Sequence, residues 1–498
     1  VFRVLGRAIK ISLLLVWMFW AWVYSKTGLR RLVWWLFLRH REYEPLTNER
    51  IVRLTFEAMG PTFIKLGQVV ASSPGLFPRR YSDEFQRCLD RVQPFPSDRA
   101  QAIIARDLGE PLDALFESFE VDPLGSASIA QVHGATLKGG REVVVKVQRP
   151  GIRPVVDADL WWMRRGAWLT ELLFKGARLA NMSGVIADFD RTIHEELDFR
   201  QEANNLREFN RLMAKYGVED VRAPIPEDDL VTERVLVMER FVGFKADDVE
   251  GILGAGIDPE VYLRRGLRAW LMTMMLDGFF HGDAHAGNLM MMPDGPSVGL
   301  LDFGIIGRFD LEQRHQVMRY VLAFSAKDYE ALSDVMLEIG AIERKNLDRE
   351  ALVADLERVY SPLVDKSMAE IHYEELLPDI TKVAYRYGIK LPSEFLLILK
   401  QLLFFDRYAK LAAPDLNVFS DFYLVDFLFS PLAMQAGLDF NVLMPLLKKI
   451  QARHQDEREE PGPGAQESGE QEPGEQEPGE QEPGEQEPGE LGQQAAGA

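Results

Sequence analysis

The rhythm of apolar and polar positions changes several times along the chain. Ile11–Tyr24 reads ISLLLVWMFWAWVY, fourteen residues without a charge. As a helix it spans about 21 Å, short of the about 30 Å of a bilayer core unless earlier residues join it. A second apolar run, Leu32–Leu38 (LVWWLFL), follows. Residues 49–110 show helical periodicity, punctuated by Ser73-Pro74-Gly75 and Pro94–Pro96. Residues 116–148 read as strands. Within them Ile129–Leu137 and Glu142–Gln148 flank Gly139-Gly140, a hairpin signal. The spacing predicts mostly helix over 155–215, a strand at Val235–Met238, and an apolar helix over 258–280 that runs into His281. It predicts a short strand at Val298–Leu301 and helix throughout from Leu311 to about Arg453. Strands first and helices after is the order of a two-lobed α+β protein.

Charge divides the chain further. The net charge is -20, but residues 456–498 hold 14 acids and one Arg, or -13, which leaves -7 for the rest. That tail repeats QEPGE with almost no apolar side chain, so it cannot bury enough surface to offset its ordering entropy; disorder is expected. Residues 1–41 carry eight Lys/Arg and no acid. Arg3, Arg7 and Lys10 share one helical face beside Trp-rich apolar surface, which suits a helix in the headgroup region. A signal peptide fits less well, because no small-residue cleavage site follows Tyr24. The single cysteine, Cys88, excludes an internal disulfide and a cysteine-type zinc site. No clustered basic face suggests nucleic acid.

The candidate chemistry lies at His281–Asn288 (HGDAHAGN) and Leu300–Gly304 (LLDFG). Phosphoryl transfer needs charge neutralisation and a positioned nucleophile. Asn288 and Asp302 offer the oxygen ligands that magnesium prefers. Asp283, a separate carboxylate, is placed to accept a proton from an attacking hydroxyl or orient it. His281 and His285 are four apart, but the glycines argue against a helix that would pair them on a metal. Upstream, Val143–Val147 carries Lys146 on a strand, a ligand for ATP phosphates that needs a carboxylate to hold it. Val235–Glu239 is similar to the strand that leads into an adenine-binding segment, which puts Glu239 beside the nucleotide. The phosphate-covering loop departs from G-x-G-x-x-G. Leu124–His133 keeps Gly125 alone, with Ser126, Ala127 and Ser128 after it and Ala130 beyond. An ordinary protein kinase is thereby excluded.

With these residues in order, the chain resembles the UbiB/AarF-type atypical kinases linked to ubiquinone biosynthesis, over roughly residues 45–330. Gly60–Gln68 looks like their K-x-G-Q motif and places Lys65 and Gln68. Gly125–Ser128 is similar to their alanine-rich loop, and Glu196-Leu197-Asp198 to their E-x-D motif. Glu202 then falls on the glutamate that pairs with the strand lysine. The resemblance implies a two-lobed protein-kinase-like fold, with the K-x-G-Q helices folded over the active site where a protein substrate would bind. It implies that Lys65 sits near Glu196 or the phosphates. It further implies ATP and Mg2+ as cofactors, ATP hydrolysis and lipid-linked function. No A-P-E-like segment follows Gly304. Unlike many bacterial members, the chain has no C-terminal pair of apolar spans, since Asp426 and Asp439 interrupt Phe422–Leu447.

The expected organisation is a basic apolar membrane segment (1–41), a helical extension (42–115) and a sheet-bearing lobe with a helical insertion (116–242). A helical lobe (243–455) and the acidic tail (456–498) follow. The expected function is a membrane-associated atypical kinase or ATPase at the cytoplasmic face. It would support ubiquinone or other isoprenoid-lipid metabolism, with membrane lipid, isoprenoid-quinone precursors or quinone-biosynthesis proteins as partners. A small-molecule phosphotransferase of the aminoglycoside or choline kinase type shares H-G-D-x-x-x-x-N, but Lys65–Gln68 and Glu196–Asp198 favour the first reading. A nucleotide-binding pseudokinase scaffold is the third, against which the complete set Lys146, Asp283, Asn288 and Asp302 argues.

Overall fold

The computed structural model describes residues 2–27, 46–71, 79–85, 87, 93–173, 182–283, 286–293, 297–342, 347–364 and 421–459, with separate residues between 366 and 418. Its first part is helical: α1 (Phe2–Lys26), α2 (Asn48–Met59), α3 (Pro61–Ala71), α4 (Arg79–Phe85), α5 (Ser97–Leu108) and α6 (Leu112–Leu115). Thr47 caps α2 by accepting from the Arg50 amide. Gly60, at φ 102, turns the chain directly from α2 into α3.

An antiparallel sheet follows, built from β1 (Phe116–Phe119), β2 (Gly125–Ser126), β3 (Ala130–Leu137), β4 (Glu142–Gln148), β6 (Pro226–Val231) and β7 (Val235–Glu239). The order is β1-β3-β4-β7-β6, with β2 on β3. The β3–β4 turn uses Gly139 and Gly140 at φ 105 and 82, a backbone that side-chain-bearing residues avoid. Along central β4 the pleat sorts side chains. Val143, Val145 and Val147 enter a core with Ile103 and Ile104 of α5, while Val144 and Lys146 face the other way. Between β4 and β6 lie α7 (Ile152–Leu173), α8 (Met182–Glu196), α9 (Phe199–Tyr216) and β5 (Val221–Arg222). Asp198 starts α9 by accepting from the Arg200 amide, and Gly217 ends it at φ 66.

The second lobe opens with β8 (Phe244–Lys245), α10 (Val249–Gly254) and α11 (Pro259–Met272). The helix expected over 258–280 ends at Met272. A π-turn covers Thr273–Asp277, and β9 (Phe279–His281) replaces the last residues. Gly278 decides this: it sits at φ 71, and a Cβ there would collide with the Phe309 carbonyl. The strands β10 (Leu289–Met292), β11 (Ser297–Leu300) and β12 (Ile306–Arg308) complete two small sheets, β5-β11-β10-β8 and β12-β9. Of these, the hydrophobic pattern showed only β11. All of these strands are two to four residues long, too short for a period to register; β11 showed only as a short apolar run ahead of Asp302.

Beyond them run α12 (Leu311–Ser325), α13 (Tyr329–Glu338), α14 (Arg349–Val364), α15 (Pro431–Gln435) and α16 (Phe440–Glu459). Asp310 begins α12 with a capping box to Gln313. The chain divides after Ala452. Asp456–Glu459, expected to open the tail, still belong to α16. The QEPGE repeat lies outside the described residues, as do Leu32–Leu38 and His285.

Helix α1 is longer than its uncharged run, and its part Gly6–Lys26 is long and apolar enough to cross a membrane. None of that stretch is buried, but Arg7, Ile11, Leu14, Met18 and Ala21 are half-covered at helical spacing. Arg7 differs from its expected place among headgroup-facing basic residues. Its guanidinium meets Asp159 of α7 at 2.5 and 2.7 Å and donates to the Met59 carbonyl of α2 at 2.5 Å. Asp159 is fully buried, and an enclosed carboxylate requires such a partner.

Candidate active site

Lys146 is carried on β4, whose hydrogen bonds to β3 and β7 on both sides hold it in register. The pleat aims it away from the valine core and toward α9. There its Nζ meets both oxygens of Glu202 at 2.7 and 2.9 Å. It also reaches Asp302 Oδ2 at 3.2 Å and lies 5.4 Å from the Phe199 ring. The Asp198 cap sets the start of α9, so Glu202 lies in its first turn.

A second buried pair stands beside the first. Lys65, on α3, meets Glu196 Oε1 at 2.7 Å at the end of α8. Both residues are largely enclosed. Gln68, one turn further along α3, is half-buried.

The segment after α11 carries the remaining groups. Buried His281 accepts the Asp283 amide at Nδ1 (3.0 Å) and donates from Nε2 to the Asp302 carbonyl (2.5 Å). One neutral imidazole thus ties the two acidic segments together. Asn288 Nδ2 donates to the Asp283 carbonyl at 3.0 Å, which leaves the Asn288 side-chain oxygen as its acceptor. Asp302 Oδ1 accepts from the Gly304 amide at 2.9 Å, and 44% of its side chain remains exposed. Phe303 anchors this turn. It is fully buried, with Phe209 5.0 Å and His281 4.9 Å away between ring centroids, and its carbonyl accepts from Asn205.

The loop residues Gly125–Ser128 lie at the β2–β3 edge. Ala127 donates its amide to the Ala130 carbonyl at 2.8 Å. A Cβ at Gly125 would meet nothing within 4 Å, so the position does not demand glycine. Glu239 ends β7. Its amide donates to the Ile225 carbonyl and its Oε1 pairs with Arg222 at 2.7 Å. The amide and Oε1 are therefore engaged within the fold, while the buried Oε2 has no hydrogen-bond partner among the described residues.

Sequence reasoning did not find several supporting residues. Arg149 braces the loop through the Ala127 carbonyl and Ser126 hydroxyl. Gln148 links β4 to the Leu197 and Glu233 carbonyls. Gln401, fully buried, donates to the Gly282 carbonyl at 2.5 Å. Arg149 and Gln148 adjoin Lys146 in sequence, which was the available hint; nothing marked Gln401.

Enclosure disfavours every charge here, and the partners answer it. Burial would lower Lys65 and Lys146. Glu196 chiefly, with Asp283 and Asp302, raises Lys65 instead. Asp302 and Glu202 raise Lys146 well above the ordinary ammonium. Burial pushes Glu202 up to about 7 against the pull of Lys146. Burial likewise raises Glu196, with Lys65 opposing. Asp302 is the exception. Enclosure works against its ionisation, but Lys146, the Gly304 amide and Lys65 hold it well below the usual carboxylate range. Four carboxyls (Glu196, Glu202, Asp283, Asp302) thus outnumber the two ammoniums they surround. Asp302, ionised and half open, and the Asn288 oxygen are hard donors suited to magnesium. A divalent cation held there would offset the excess of acid and would neutralise phosphate oxygens.

Comparison with known proteins gives the family. Residues 87–336 match the ABC1 atypical kinase-like domain, and residues 356–417 the UbiB helical domain. An uncharacterized protein of Mycobacterium tuberculosis is 41% identical over 369 residues, 74% of this chain and 75% of that one. An aarF domain-containing protein kinase of Arabidopsis thaliana, named as chloroplastic, is 35% identical over 76% of this chain and 74% of its own. A probable protein kinase UbiB of Marinobacter nauticus is 33% identical over 74% of this chain and 68% of its own. With a two-lobed α+β architecture and a matched kinase-like region covering half its length, the chain belongs to the ABC1 atypical kinase-like family.

Proposed function

We propose that this protein is a membrane-associated atypical kinase or ATPase that binds ATP with magnesium and supports ubiquinone or other isoprenoid-lipid metabolism. The observation that carries the reading is Lys146 held between Glu202 and Asp302. An ammonium beside an ionised carboxylate supports a role for the first toward nucleotide phosphates and for the second toward a metal. In this reading Asn288 completes the metal's protein ligands, Asp283 orients or deprotonates the nucleophile, and Gly125–Ser128 cover the phosphates. Lys65 brings α3 to Glu196, beside that cluster. That placement favours water or a small lipid-linked group over a protein as the acceptor. The name UbiB, borne by relatives, supports the quinone connection. The uncovered apolar surface of α1 supports attachment to a membrane, whose cytoplasmic face fits the basic residues around it.

The test is ATP hydrolysis by the full chain, with and without magnesium, anionic vesicles and polyprenyl-phenol analogues. Magnesium-dependent turnover stimulated by vesicles and analogues is expected. Tight nucleotide binding without any turnover would replace this reading with a scaffold.

A further inference from the structure

Helix α7 wears its polarity inside out. Ile152, Val156, Asp159, Leu160 and Ala167 are buried on one side. On the other, Trp161, Trp168, Leu169, Leu172 and Leu173 are exposed, Trp168 and Leu173 by more than three-fifths. Trp161, Arg165, Trp168 and Leu172 recur at intervals of four, three and four, one face of a helix. Arg165 stacks over the Trp161 ring at 3.2 Å, keeping a cation flush with the apolar face. A cluster of this size at the surface marks an interaction site.

Two observations identify what it meets. The first is charge. Residues 161–187 hold four Lys/Arg (Arg164, Arg165, Lys175, Arg178) and one acid, Glu171; Arg164 is paired with Asp190 just beyond, which leaves a net +2 within residues 1–455, whose total is -7. Glu171 accepts from the Ser183 amide and hydroxyl. The second is continuity. Helix α7 packs against α1, the uncovered membrane-length helix, and the Arg7–Asp159 pair joins the two. Tryptophan, leucine and arginine together suit the boundary between headgroups and acyl chains.

We infer that the distal half of α7 is a second lipid-contacting surface, which seats on an anionic bilayer alongside α1. The inference rests on the membrane reading of α1 but adds a separate contact. Two contacts fix orientation where one leaves the body free to swing, so α7 would hold the Lys65–Glu196 side of the site at a set height above the lipid. Helix α7 leads to α8, whose last residue is Glu196, so this surface lies one helix from the site.

The experiment uses the full chain with Cys88→Ser, which removes the sole cysteine. An environment-sensitive fluorophore is attached at Leu172→Cys or, separately, at Leu13→Cys on α1, both exposed positions. Each is mixed with phosphatidylcholine vesicles, with and without phosphatidylglycerol. Expected is a blue-shifted, enhanced signal at both positions on the anionic vesicles, quenched by brominated acyl chains. Trp168→Glu with Leu172→Glu should weaken vesicle affinity about tenfold or more while magnesium-dependent nucleotide binding stays unchanged. A response at position 13 alone would overturn the α7 surface and leave the α1 anchor standing. Silence at both would overturn the surface together with the membrane reading. A response at 172 that follows protein concentration without vesicles would overturn it in favour of self-association.

Discussion

Two buried lysine–glutamate pairs stand side by side in this protein, and they are built differently. Lys146 meets both oxygens of Glu202 and also Asp302, and its strand is hydrogen-bonded on both sides. Lys65 meets one oxygen of Glu196, and each partner sits on a helix outside the sheet. The first pair is fixed by the sheet and by α9. The second depends on how the helices α3 and α8 rest against each other. That resting position is set at a distance by Arg7, which grips Asp159 of α7 and Met59 of α2, the helices preceding α8 and α3. One pair is therefore part of the frame and the other a latch across it.

The largest expected effect is on Asp302, which both lysines sense. Asp302→Asn should abolish magnesium-dependent nucleotide binding; unchanged ATP affinity by calorimetry would remove Asp302 from the metal. Next comes the direct contrast between lysines. Lys146→Met should eliminate measurable turnover and nucleotide affinity together. Lys65→Met should lower hydrolysis by about tenfold to a hundredfold while nucleotide affinity holds. Equal losses of affinity in the two variants would erase the distinction between frame and latch. Arg7→Ala strands a carboxylate with no exposed surface, a loss of about 3 kcal/mol or more, measured by urea unfolding of the full chain. A shift within error would mean α1 does not secure α2 and α7.

The smallest effect concerns pH at the α7–α8 hairpin. His194 touches Asp157 of α7 at 3.0 Å and the Asp190 carbonyl at 2.8 Å. Partial burial lowers its basicity, but the Asp190 carbonyl and the carboxylates of Asp157 and Asp190 outweigh this, so it is raised. The folded protein thus holds this proton more tightly than the unfolded chain. The stabilisation is full below about pH 6.5 and is lost as pH rises through the higher folded value. Thermal midpoints of the parent should fall relative to His194→Gln over that window. Parallel midpoints across it would show that His194 carries no linked proton.

Much of the surroundings of the first pair was legible in the sequence. A lysine in a valine run, the spacing of Asp283 and Asn288, and an Asp-Phe-Gly after an apolar strand are local patterns, each dictated by chemistry within a few residues. The hairpin at Gly139-Gly140 was equally plain, because positive φ at both positions selects glycine. The short strands β8, β9, β10 and β12 were not, since two to four residues cannot establish a period. The break of α11 at Met272 was hidden for another reason: Gly278 matters because the Phe309 carbonyl comes close, and that closeness is tertiary.

Sequence alone determined that a strand lysine, two acids and an amide occur in the order needed for phosphates and metal, that the covering loop lacks its glycines, and that the head is apolar and basic. Only the folded chain decided which charges meet. Arg7 and Asp159 are 152 positions apart, and Gln401 and Gly282 are 119 apart. No periodicity spans such distances. A buried charge requires a partner, but the requirement does not say which one. Packing chooses it, by bringing together segments far apart in the chain and leaving each enclosed ion a neighbour within reach.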